Sequence, residues 1–93
     1  MELLELRREI DRIDAELVSL FCQRMEVAAR IADCKKKNNL PVYHPAREQE
    51  VLEKVAEMAG AELENYAKEL YSSLFQLSRD YQSSRGAGEK TED

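Results

Sequence analysis

Ninety-three residues, 43% hydrophobic and 35% charged with no Trp, leave room for one small helical domain and exclude two independent cores. No run approaches the length of a membrane span, and the opening "MELLELRREI" lacks the basic start and continuous apolar segment of a secretory signal, so the cytoplasm is the expected compartment. The net charge of −5 comes from residues 41–93, with six basic and eleven acidic side chains against eight of each in 1–40; without a basic stripe, nucleic acid is not expected as a partner.

The first helix is expected over about 3–37. Leu3, Leu6, Ile10, Ile13, Leu17 and Leu20, then Val27, Ile31 and Cys34, keep a heptad spacing with no Gly or Pro until "NNLP". At 1.5 Å per residue such a helix is about 50 Å long, whereas a compact chain of this size has a radius of gyration of about 12 Å. It would overhang its own domain and leave its seam in water, so a homodimer built on this helix is expected. Cys22 and Cys34, twelve residues or about 18 Å apart on it, cannot pair with each other. Both read as small buried hydrophobes, and with His44 the single histidine no zinc constellation is available, so no metal is expected.

"NNLPVYHP" follows as a connector, because Pro41 and Pro45 forbid a helix through it. Pro45 suits the first turn of a second helix over about 45–59, with Val51, Leu52, Val55, Met58 and Ala59 apolar and Gly60 as its C-terminal stop. A third helix is expected over about 61–84, carrying Leu63, Tyr66, Ala67, Leu70, Tyr71, Leu74, Leu77 and Tyr81. The tail "RGAGEKTED", 85–93, reads as disordered. The fold class is all-α, three helices per chain.

Polar residues interrupt all three stripes. Arg24 occupies the seam of the first helix where the next apolar residue should stand. Glu48 shares the face of Val51 and Leu52, and Ser78 and Gln82 extend the row Leu70, Leu74 by steps of four. Lys35 lies about three turns from Arg24 on the same side; Arg7 flanks the seam near the other end. Each has a bland account alone: a snorkelling arginine, a solvated glutamate, edge-of-core Ser and Gln, a lysine run. Together, cations, an amide, a hydroxyl and one carboxylate suit a small, multiply anionic ligand that bears a hydroxyl. Fixed donors in such a site stabilise developing charge without a covalent step, and no nucleophile–base pair is visible.

The segments "LLELRREIDRIDAELVSLFCQRMEVAARIADCKK", "LPVYHPAREQEVLEKV" and "LFQLSRDYQ" resemble the all-helical class of chorismate mutase, in order and spacing, over roughly residues 3–84. The resemblance implies a chorismate mutase domain over 1–84, an intertwined homodimer with shared sites, and rearrangement of chorismate to prephenate on the way to phenylalanine and tyrosine. It implies no cofactor. By matching motif, Arg7 would cross into the partner's site to hold a carboxylate, and Arg24 would hold the other from its own chain. Lys35 and Gln82 would donate to the ether oxygen. Glu48 would accept from the ring hydroxyl, Arg47 would brace the site, and Ser78 would contact a carboxylate.

One position departs from the pattern: many members carry Asp where His44 stands. If the position acts through its backbone N–H, the change matters little; if through a carboxylate, His44 weakens binding and adds pH dependence where histidine titrates. No segment for an allosteric effector and no fused prephenate dehydratase or dehydrogenase is expected. Two rivals stand beside the mutase: an isochorismate-pyruvate lyase of the same fold, and a non-catalytic helical dimerisation or regulatory module that docks on another shikimate-pathway enzyme. Such an association alongside catalysis stays open.

Overall fold

A computed structural model describes residues 2–92, with side chains described through Arg85. Three helices follow in chain order: α1, Leu3–Lys37; α2, Pro45–Ala59; and α3, Glu64–Glu92. There is no strand among the described residues. The bounds of α1 and α2 are those expected from the Asn–Asn–Leu–Pro stop, the Pro45 start and the Gly60 stop.

Local chemistry accounts for the boundaries between the helices. At the end of α1, Asn39 takes a left-handed φ of 57°, and Leu40 N–H returns to Lys35 O at 2.8 Å while Asn39 N–H reaches Lys36 O at 3.2 Å. This pair of bonds satisfies carbonyls a helix end would leave open, and Asn is among the few residues that tolerate that φ. Pro45 then supplies the preset φ of a first helical turn, and the His44 carbonyl receives the N–H groups of Arg47 and Glu48 at 3.1 and 3.2 Å. Gly60 closes α2 at φ 87° and ψ 165°, a conformation essentially reserved for glycine. A turn over 61–63, closed by Leu63 N–H to Gly60 O at 3.2 Å, redirects the chain, so α3 starts three residues later than expected.

At its other end α3 continues past Ser84, where the pattern predicted it to fade. No proline stands in 85–92 to stop it. The expected disorder of 85–93 bears largely on residues whose side chains lie outside the described ones.

α3 is the central element and packs on both α2 and α1. The core is small: Ala29 and Ala32 of α1, Val55 and Ala56 of α2, and Phe75 of α3. Alanines on α1 let α3 approach closely. Met58, expected on the inner stripe of α2, is 81% exposed; Ala56 holds the buried place instead. The cysteines also differ from expectation, since both Cys22 and Cys34 are exposed. Cys22 lies on the stretch of α1 that no other described element covers, and the sulfur of Cys34 faces Asn38 at the helix end, 3.7 Å from its amide nitrogen.

The whole N-terminal half of α1 is exposed, its seam included: Leu3, Leu6, Ile10, Ile13, Leu17 and Leu20 all face solvent. The radius of gyration is 16.8 Å, with extents of 57 × 30 × 15 Å, against about 12 Å for a compact chain of this length. Accessible surface is 7576 Å², where about 5,500 Å² is usual for a folded monomer of this mass. No helix among the described residues is long and apolar enough to cross a membrane.

Candidate active site

The C-terminal half of α1, the connector, the start of α2 and the middle of α3 border an open cavity of about 300 Å³, a volume at the lower end for small-molecule sites. Arg24, Val27, Ala28, Ile31, Ala32 and Lys35 line it from α1, and Val42, Tyr43 and His44 from the connector. Arg47, Glu48 and Val51 come from α2, and Phe75, Ser78, Arg79 and Gln82 from α3. The structure therefore brings together Arg24, Lys35, His44, Arg47, Glu48, Ser78 and Gln82, every candidate from the sequence except Arg7. Arg7 is exposed and lies seventeen residues before Arg24, about 25 Å along the helix. It cannot reach the cavity of its own chain.

Arg24 is half-buried, with its guanidinium 5.3 Å from the ring centroid of Tyr71 and 5.5 Å from that of Phe75. These rings sit one turn apart on α3 and meet edge to face, so they form a fixed wall for the cation. No carboxylate among the described residues pairs with it. A half-buried guanidinium held on ring faces keeps its fork of N–H donors for an anion.

Lys35 Nζ donates to Val42 O at 3.2 Å, tying α1 to the connector and leaving two further N–H donors. Gln82 Nε2 donates to Ala28 O at 3.3 Å, tying α3 to α1, and its amide keeps a second N–H. Ser78 is buried at 7% exposure, its hydroxyl 3.5 Å from the Met25 sulfur, a weak acceptor. Along the row Leu70, Leu74, Ser78, the residues pass from exposed through half-buried to buried where α3 packs on α1, and Gln82, half-buried, follows at the cavity wall. Arg47 is exposed and pairs with Glu50 on its own helix, a surface contact of small energy that leaves the guanidinium free to turn.

Glu48 is half-buried and ion-paired with Arg79 of α3. Arg79 is the residue sequence reasoning missed. It stands inside the segment "LFQLSRDYQ" but off the Leu74–Ser78–Gln82 row. A signal was available, because Tyr71, Phe75 and Arg79 form the neighbouring row at steps of four, again apolar residues leading into a polar one. Among the described residues, four cations, Arg24, Lys35, Arg47 and Arg79, thus line the cavity with the single carboxylate Glu48, in a chain whose net charge is −5.

A chorismate mutase type II family model matches residues 6–83. The chain is 43% identical over 74 residues to a bifunctional chorismate mutase/prephenate dehydratase of Aquifex aeolicus, covering 80% of this chain and 18% of that protein. It is 41% identical over 51 residues to the T-protein of Haemophilus influenzae, covering 55% of this chain and 14% of that protein. A chorismate mutase of Methanocaldococcus jannaschii is 28% identical over 57 residues, 61% of this chain and 58% of that protein. The chain thus spans less than a fifth of the length of the first two relatives. No solved structure gives a significant match. The family match covers every residue that lines the cavity, and the chain belongs to the chorismate mutase type II family.

Proposed function

We propose that this chain rearranges chorismate to prephenate, in the branch of aromatic biosynthesis that supplies phenylalanine and tyrosine. The observation that carries the reading is the cavity itself: four cations, one carboxylate, an amide and a buried hydroxyl in an otherwise acidic chain. That inventory complements a small dicarboxylate bearing one hydroxyl and one ether oxygen. Family membership and the names of the relatives support it.

In this reading Arg24 grips one carboxylate of chorismate from the ring-lined wall. The partner's Arg7 grips the other across a homodimer, with Ser78 contacting a carboxylate and Arg47 and the His44 backbone bracing the rim. Glu48 accepts from the ring hydroxyl. Held this way, the substrate is restrained in its chair-like diaxial form, where the ends that must join are close. The ether C–O bond breaks as the new C–C bond forms, and negative charge grows on the ether oxygen. Lys35 and Gln82 aim their remaining N–H donors there, stabilising charge present only as the bond breaks. No proton has to be transferred and no covalent intermediate forms.

The homodimer is supported by the uncovered seam of α1, the excess accessible surface and the distance of Arg7 from its own cavity. A cytoplasmic location is supported by two free, exposed thiols, which suit a reducing compartment. Fusion of the same activity to a dehydratase in the Aquifex relative supports an association with other enzymes of the pathway. The test is to add chorismate to the purified protein, follow the loss of its ultraviolet absorbance and identify the product. Prephenate is expected. Salicylate and pyruvate from isochorismate would favour the lyase, and no turnover of either would favour a non-catalytic helical module.

A further inference from the structure

Arg79 reaches across the mouth of the cavity from α3 to Glu48 on α2, and neither side chain is far from water, at 32% and 26% exposure. A pair so placed contributes little through charge alone. Its geometry is more informative. Nη1 of Arg79 bonds Oε2 of Glu48, Nη2 bonds the Gln76 side-chain oxygen at 3.1 Å, and the guanidinium face lies 4.8 Å from the Tyr43 ring centroid. The guanidinium is thus fixed from three sides, by α2, by its own helix and by the connector. A guanidinium pinned in this way fixes the position of the one carboxylate oxygen it holds. Among the described residues Oε1 of Glu48 accepts no hydrogen bond, so one oxygen is anchored and the other is left for a ligand.

We propose that Arg79 is a positioning residue: it anchors one oxygen of Glu48 so that the other is aimed at the hydroxyl of the bound substrate. The proposal rests on the reading of the cavity as a chorismate mutase site and extends it, because Arg79 itself need not touch substrate. With Arg79 removed, Glu48 keeps its place on α2 but loses its preferred rotation, and catalysis loses orientation more than binding. Arg79 also draws Tyr43 and the connector against α3, so the same cation joins the three segments that border Glu48.

The test compares wild type, Arg79→Met, Arg79→Lys, Glu48→Gln and the double variant Arg79→Met/Glu48→Gln, with chorismate as substrate. Arg79→Met is expected to lower kcat about tenfold or more while KM changes less than about threefold, and Arg79→Lys to restore part of the loss. The double variant is expected to be no slower than Glu48→Gln alone, since a residue acting through Glu48 has nothing left to position. Three results overturn the proposal: wild-type kinetics in Arg79→Met, a rise in KM with kcat unchanged, or losses that multiply in the double variant. The last two would mark Arg79 as a direct substrate ligand or an independent structural contact. Thermal unfolding of the same set judges the pair without reference to activity. Melting-temperature losses smaller in the double variant than the sum of the singles support it, and strictly additive losses overturn it. An inactive wild type with coupled melting temperatures would refute the chorismate reading while keeping the pair.

Discussion

A guanidinium on the apolar seam of a helix can escape to water or be held inside. Arg24 is held, with two aromatic rings of α3 behind it and an open cavity in front. A cation over ring faces is stabilised by about 0.5–2 kcal/mol depending on desolvation, without consuming the in-plane N–H donors. Arg24→Ala is therefore expected to lower kcat/KM for chorismate by about 10²–10³-fold or more while the helical circular dichroism signal is kept. Unchanged turnover would remove Arg24 from the site. Gln82 gives a second expectation. An acid donates to an ether oxygen only when protonated, so Gln82→Glu should shift the activity optimum to lower pH. A profile identical to wild type would mean that the amide does not reach that oxygen.

Among the elements, α3 carries the most consequence, because its two neighbouring rows reach the cavity together. One row ends in Ser78 and Gln82, and the next ends in Arg79 behind Tyr71 and Phe75. The reach of both rows depends on the direction in which α3 leaves α2, which is set at Gly60. The φ of 87° and ψ of 165° there would strain any other residue by about 1–3 kcal/mol, although a Cβ would meet nothing within 4 Å. The cost of Gly60→Ala is thus purely conformational. Its melting temperature, measured at fixed protein concentration, should fall by several degrees, at about 4–8 °C per kcal/mol for a domain of this size. Well below that temperature kcat should stay at the wild-type value, since Gly60 does not line the cavity. A wild-type melting temperature would mean that the turn relaxes into another conformation at no cost.

For the whole molecule, two observations on the single chain fit the proposed homodimer. Its apolar core, five buried residues among the described ones, and its exposed α1 seam leave more surface in water than a folded monomer of this mass normally does. Arg7, proposed to serve a site, also sits about 25 Å from the cavity of its own chain along the same helix. Both are remedied if a second copy lays its own α1 along the exposed seam. Mixing Arg7→Ala with Arg24→Ala chains should then recover activity in heterodimers, because one of the two sites keeps both arginines. If the mixture is no more active than either parent, the sites do not share Arg7 across chains.

The helices were legible from the sequence because their signals are local. A heptad broken only at Arg24, an Asn–Asn–Leu–Pro stop, a Pro at the first turn and a Gly at the last fix α1 and α2 with no help from packing. Glu48, Ser78 and Gln82 were legible as polar residues interrupting apolar rows, and the resemblance carried by "ELRREID" brought in Arg7, which spacing alone would not have chosen. Four features waited for the tertiary structure: the Arg79–Glu48 pair, the ring wall behind Arg24, the exposure of Met58, and the solvent-facing cysteines. Each depends on how α3 lies across α1 and α2 and on what a single chain leaves uncovered. Periodicity assigns a residue to a face of its own helix. The side chain that meets it from another helix is fixed only by the packing of the two.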